Sequence, residues 1–161
     1  AIPRKKVNRV LVGYSLDHPT SVYKWPHERI TAIEYFRDKP WATIHESLLN
    51  HSSRTGATSA WPYTEYLELI RSHDYLVVPI GYGIERIAAW EAMTLGTIPI
   101  SIKHPSLMHF SDMGRAFVDS WTEVTEEWCD ANIDTINRPM EKLTVEYWVD
   151  KIREKRAEIL P

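Results

Sequence analysis

Tyr75-Leu-Val-Val-Pro-Ile-Gly-Tyr-Gly-Ile-Glu-Arg-Ile-Ala-Ala-Trp-Glu-Ala-Met-Thr-Leu-Gly-Thr-Ile-Pro-Ile100 is the stretch of this 161-residue chain that decides its fold. Tyr75 to Pro79 is an unbroken apolar run, as a strand buried on both faces requires. Gly81-Tyr82-Gly83 reads as a turn, and Ile84 to Leu95 as a helix that Gly96 closes in the left-handed conformation. Thr97-Ile-Pro-Ile-Ser101 is then the next strand. Strand, turn, helix and strand make one crossover unit of a parallel sheet.

Outward from this unit the same alternation continues. Upstream, Arg9-Val-Leu-Val-Gly-Tyr14 predicts a buried strand, and a helix runs from about Glu28 to Phe36, carrying Ile30, Ile33 and Tyr35 and stopped by Asp38-Lys39-Pro40. Trp41 to Ile44 reads as a short strand. His45 to Pro62, rich in Ser, Thr and Asn, reads as a surface loop with a helical turn near Ser47 to Asn50. Tyr63, Tyr66, Leu67 and Ile70 share one face of a helix that ends near His73. Downstream, Ala116-Phe-Val118 is a short strand, followed by helices over about Thr122 to Thr135 and Leu143 to Ile159. The expected fold is α/β: a single Rossmann-like three-layer domain over residues 1–161, with a mainly parallel sheet of about five strands.

Composition narrows the function. With 43% hydrophobic and 25% charged residues the chain has the material for an ordinary core, which argues against disorder and coiled coil. Nineteen Lys and Arg against 22 Asp and Glu give a net charge of −3 without basic runs, so no footprint for nucleic acid is seen. The single cysteine, Cys129, has no disulfide partner within the chain and reads as a small buried residue. No apolar run is long enough to span a bilayer, and Ala1-Ile-Pro-Arg-Lys-Lys6 lacks the hydrophobic centre of a signal peptide, so the segment reads as soluble, with its location undetermined. A start at Ala1 fits a processed or excised piece of a longer protein.

The glycine turn lies beyond the carboxyl end of a strand, where open α/β sheets bind ligands. Glycines at 81 and 83 let a backbone approach a ligand, and the N-terminus of the helix that follows favours a phosphate; tight strand-to-helix turns use the same residues. Glu91 falls within an apolar stripe of Ile84, Ile87, Ala88, Ala92 and Leu95 and needs a partner there: a cation, N–H groups, or a ligand hydroxyl such as those of a ribose. Arg86 either leans over the glycine turn toward a diphosphate or stacks on Trp90. Glu85 reads as an exposed residue favoured by the helix dipole. Arg54, in the long loop, is either a donor-phosphate or base contact or a solvated residue. Asp17 and His18 either face the cleft or build a turn with Pro19.

Several motifs are absent. Gly81-x-Gly83-x-x-Arg86 lacks the last glycine of the dinucleotide fingerprint, and Ser101-Ile102-Lys103 stands where its acidic residue belongs, which argues against a nicotinamide or flavin enzyme. P-loop, nucleophile-elbow and zinc-protease signatures are missing. The seven histidines show no ligand spacing and no Asp-x-Asp pair occurs, so no metal or cofactor is expected. Asn50-His51-Ser52 matches the N-glycosylation triplet. A response-regulator domain is disfavoured because Ser15-Leu16 follows Tyr14 where acidic residues would stand.

Gly81-x-Gly83, Trp90-Glu91-Ala92 and Leu95-Gly96-x-Ile98-Pro99-Ile100 together resemble the signature of exostosin-like glycosyltransferases, in the nucleotide-sugar-binding half of the GT-B fold. The resemblance covers about residues 60 to 130, including Tyr63 to Pro79 before the signature and Phe117 to Glu126 after it. It implies a donor site in which Glu91 holds the ribose, the turn of Gly81, Tyr82, Gly83 and Ile84 lies along the diphosphate, and Arg86 and Arg54 assist. Ala88 replaces the arginine that the family usually carries three residues before the glutamate. Gly83 stands where a retaining group of GT-B enzymes has a second glutamate, so the resemblance implies an inverting, metal-independent transfer from a UDP- or GDP-linked sugar to a hydroxyl acceptor such as a glycan. One GT-B half implies a partner, either a second Rossmann-like domain or another copy, and no catalytic base is assigned. The alternative is a nucleotide-sugar-binding module without activity of its own.

Overall fold

The computed structural model describes residues 7–14, 26–45, 62–81 and 83–160. Five strands, β1 (Asn8–Val12), β2 (Ala42–Ile44), β3 (His73–Val77), β4 (Ile98–Ile102) and β5 (Ala116–Val118), form an all-parallel sheet in the order β2-β1-β3-β4-β5. The α/β class, the parallel sheet and its five strands are as the sequence predicts. Pro99, in the interior strand β4, costs no ladder bond there. Ile100 turns its carbonyl to β3, where it accepts from the Val78 N–H at 2.8 Å. Pro99 therefore faces β5, which starts pairing only at Ile100 opposite Ala116.

Helices cover both faces. On one, Ala32, Ile33 and Phe36 of α1 (Pro26–Phe36) pack with Val10, Val12, Tyr75 and Val77, and Trp121, Val124 and Cys129 close the same cluster. On the other, Ile70 of α2 (Tyr63–Arg71) and Ala89 and Ala92 of α3 (Ile87–Thr94) pack on Leu11, Leu76 and Val78. Burial pushes the Cys129 thiol up to about 12, which makes it an inert core residue.

Three boundaries differ from the sequence reading. The predicted helix over Thr122 to Thr135 is two pieces, a 3-10 turn at Trp121–Glu123 and α4 (Glu126–Asn132), because Ser120 builds a capping box with Glu123 and Thr125 caps the second piece through the Trp128 N–H. Thr144 likewise caps α5 (Val145–Ile159) after a 3-10 turn at Met140–Leu143. α3 begins at Ile87 instead of Ile84, and its buried residues are Ala89, Ala92 and Met93, so the apolar stripe expected through Ile84 and Ile87 is out of phase. Ile87 is 77% exposed. Gly96 does close this helix, with φ of 71°, the left-handed value glycine tolerates.

From β1 the chain moves outward to β2, and from β3 it moves the other way to β4 and β5. The reversal places a crevice beyond the carboxyl ends of β1 and β3, the topological switch point where such sheets bind ligands.

Candidate functional site at the switch point

Four segments border that crevice: the N-terminal turn of α1 after β1, residues 78–81 and 83–86 after β3, and the first turns of α2 and α3. The α1 turn is locked to the β3 exit from both sides of one residue. Glu28 Oε1 accepts from the Ile80 N–H at 3.2 Å, and Arg29 Nε donates to the Ile80 carbonyl at 3.1 Å. Trp121 Nε1 donates to the Glu28 carbonyl and the Tyr14 hydroxyl to the Arg29 carbonyl, at 3.0 and 2.7 Å, so the turn is fixed to the core as well. Arg29 lies 5.6 Å from the Tyr14 ring centroid and is 4% exposed.

Arg86 reaches the same place from the other direction. It is the N-cap of α3 in extended conformation, φ −124° and ψ 132°, and caps nothing with its side chain. Its guanidinium folds back onto Gly81, where a Cβ would collide with Arg86 Nη1 on one side and stand 2.5 Å from Arg29 Nη2 on the other. Gly81 has no positive φ, so glycine is required here by close approach and not by backbone conformation. Burial and then the Arg86 charge lower Arg29 to about 10, and burial lowers Arg86, opposed by Tyr66. Among the described residues, no carboxylate forms an ion pair with Arg86.

Glu91 sits one turn further along α3, and among the described residues its partner is neither a cation nor an N–H group. Tyr63 donates its hydroxyl to Glu91 Oε1 at 2.7 Å. Tyr66 lies against the same carboxylate; burial, followed by the Glu91 charge, raises its phenol well above the ordinary range, while Arg86 pulls it back down. Arg86, Tyr66, Glu91 and Tyr63 are thus one continuous polar row. The stacking of Arg86 on Trp90 does not occur: Trp90 meets Phe110 edge-on at 5.6 Å, and the start of the helix at Ile87 leaves Arg86 free to turn back over Gly81.

Glu85 departs from its expected role at the helix dipole. Its Oε2 accepts from Arg115 Nη1 at 2.7 Å, and Arg115 is 4% exposed, with its guanidinium 5.7 and 5.5 Å from the Phe110 and Phe117 ring centroids. Gly83 accepts the Gly81 N–H through its carbonyl at 3.2 Å, and Ile84 stands exposed at the lip.

The structure therefore brings Gly81, Gly83, Ile84, Arg86 and Glu91 to one edge; Tyr82, Arg54, Asp17 and His18 lie outside the described residues. Arg29, Glu28 and Arg115 were missed. Arg29 hides in an amphipathic pattern where a charged residue reads as solvent-facing, though its position after the first strand at the carboxyl edge is the signal that could have found it. Among the described residues no group of three His, Cys, Asp or Glu could hold a metal ion, and no helix is long and apolar enough to cross a membrane. No family model matches the chain, and no curated protein sequence matches it significantly.

Proposed function

We propose that this chain binds a nucleotide sugar at the β1/β3 switch point and serves as the donor-binding domain of a glycosyltransferase. The observation that carries the reading is the convergence of Arg29 and Arg86 on the Gly81 backbone. Two guanidiniums converging on one turn offer several N–H donors to a polyanion, and planar guanidiniums match diphosphate oxygens in pairs. Glu91, pre-oriented by Tyr63, retains lone pairs for the hydroxyls of a ribose one helical turn away. The resemblance of Trp90 to Ile100 to the exostosin-like signature supports the same assignment.

In this reading the acceptor hydroxyl oxygen forms a bond to the anomeric carbon as the bond from that carbon to the β-phosphate oxygen breaks, and the hydroxyl proton passes to a base. Arg29 and Arg86 stabilise the charge that develops on the departing nucleoside diphosphate, and the work is electrostatic and positional. A binding module without activity of its own is the second reading. Ile84 and Ile87, apolar and exposed at the lip of the crevice, favour it, since they fit a facing surface that supplies the base.

Calorimetric titration with UDP, GDP, ADP and CMP tests the site, with Glu91→Gln as control. Saturable 1:1 binding of one nucleotide that the variant weakens supports the reading. A folded protein that binds none of the four overturns it.

A further inference from the structure

The ion pair between Arg115 and Glu85 is a poor device for stability. Arg115 is buried between two aromatic rings, yet its Nε and Glu85 Oε1 are both buried without a hydrogen-bond partner. Pairs so incompletely satisfied regain little of their desolvation cost, and well-packed apolar residues often replace them without loss. The pair does, however, join two segments, one entering β5 and one leading into α3. Arg115 immediately precedes β5, and its Nη2 reaches Ser101 Oγ of β4 at 3.4 Å, while Ser101 Oγ donates to the Val78 carbonyl at 3.0 Å. Glu85 belongs to the irregular stretch between Gly83 and α3.

Glu85 directly precedes Arg86, and the two side chains go to different places, Glu85 to Arg115 and Arg86 back over Gly81. One is anchored toward β4 and β5, and the other is directed over Gly81 at Arg29. Arg86 is held against the repulsion of Arg29, and a segment free to drift would let the guanidiniums part. We propose that Arg115 is a positioning residue that, through Glu85, holds Arg86 at the anion-binding turn. The inference rests on the reading of that turn as a diphosphate site. Preorganisation of this kind improves affinity by removing the cost of ordering the binding group at the moment of binding.

The test compares inorganic pyrophosphate affinity with thermal stability in three proteins: wild type, the double variant Glu85→Met/Arg115→Met, and Arg115→Lys. The apolar pair removes the tether without leaving a buried lone charge, so its Tm is expected within a few degrees of wild type while its Kd rises about tenfold. Arg115→Lys keeps a bond to Glu85 but loses the flat group that fits between the rings, so its Tm falls further than that of the double variant while its Kd rises less than about threefold. Crossed orders of stability and affinity mark positioning, which a purely structural role does not produce. Equal pyrophosphate affinity in wild type and the double variant overturns the proposal. If wild type itself binds no pyrophosphate, the diphosphate reading falls first. Should the double variant not fold, Glu85→Gln replaces it, with a Kd raised about threefold expected and an unchanged Kd overturning the proposal.

Discussion

At the amino-terminal edge of the sheet, His73 is fully buried with Nδ1 at 2.9 Å from the Leu69 carbonyl and Nε2 at 3.0 Å from Thr43 Oγ1, and Thr97 donates to the carbonyls of Ile70 and His73. Arg9 there lies between two carboxylates, Asp74 and Asp130. At the carboxyl-terminal edge of the same sheet, Arg29 and Arg86 are brought together over Gly81, with Glu28 beside Arg29 on the Ile80 N–H, Glu85 on Arg115 and Glu91 on Tyr63. Both edges bury polar groups, but the first sets its arginine between carboxylates, whereas the second sets two guanidiniums against one glycine. An edge whose ion pairs close within the chain belongs to the fold, whereas convergent guanidiniums suit an anion, as the proposed donor site requires.

The contrast breaks first at the amino-terminal edge. His73→Leu removes a ring that satisfies partners on α2 and β2, and unfolding stability should fall by about 2–4 kcal/mol, measured by urea denaturation. Pyrophosphate affinity of the fraction that remains folded should not change. At the other edge the signs reverse. Arg86→Met should weaken pyrophosphate binding by about 10- to 100-fold in calorimetry, the worth of a charge-assisted hydrogen bond, while stability stays within about 0.5 kcal/mol because a repulsion is lost along with the cation. A large loss of stability in Arg86→Met would place it among structural residues like Arg9. Gly81→Ala is milder: its methyl group must displace the guanidinium ends, and pyrophosphate affinity should drop by about five- to tenfold with the backbone unstrained.

The same contrast explains what the sequence discloses. Strand runs such as Val10 to Val12 and Tyr75 to Val78 are apolar on both faces, and a parallel sheet is the structure that uses such runs, so class and strand number are legible. Strand starts are not, since His73 and Asp74 read as loop residues until their partners on α1-distant segments such as Thr43 and Arg9 are known. Gly81 and Arg86 are visible as candidates because glycine and arginine near a helix start carry a recognisable pattern. Their meeting with Arg29 is not, because it spans 52 residues from Gly81 and 57 from Arg86 and depends on α1 being fastened to Ile80. The start of α3 is hidden for a related reason: Ile84 and Ile87 are apolar, but the helix begins only at Ile87 and both side chains are exposed.

The smallest effect expected concerns Glu28. Burial raises its carboxyl above the ordinary value of 4.5, opposed by the Ile80 N–H and by Arg29. A carboxyl that holds its proton more tightly when folded contributes stability that is complete below the unfolded value and declines as the pH rises through the native one. Wild type should therefore lose a little stability, under about 1 kcal/mol, as the pH climbs from 4.5 toward neutrality, and Glu28→Gln, which still accepts from Ile80, should not. Pyrophosphate sharpens the point. A carboxylate that ionises beside Ile80 opposes an anion at Gly81, so the wild-type affinity should fall relative to the glutamine variant over that pH range, and the difference between the two proteins cancels the titration of pyrophosphate itself. Parallel affinity profiles for the two proteins would mean that the anion sits on the Arg86 side of Gly81, away from α1.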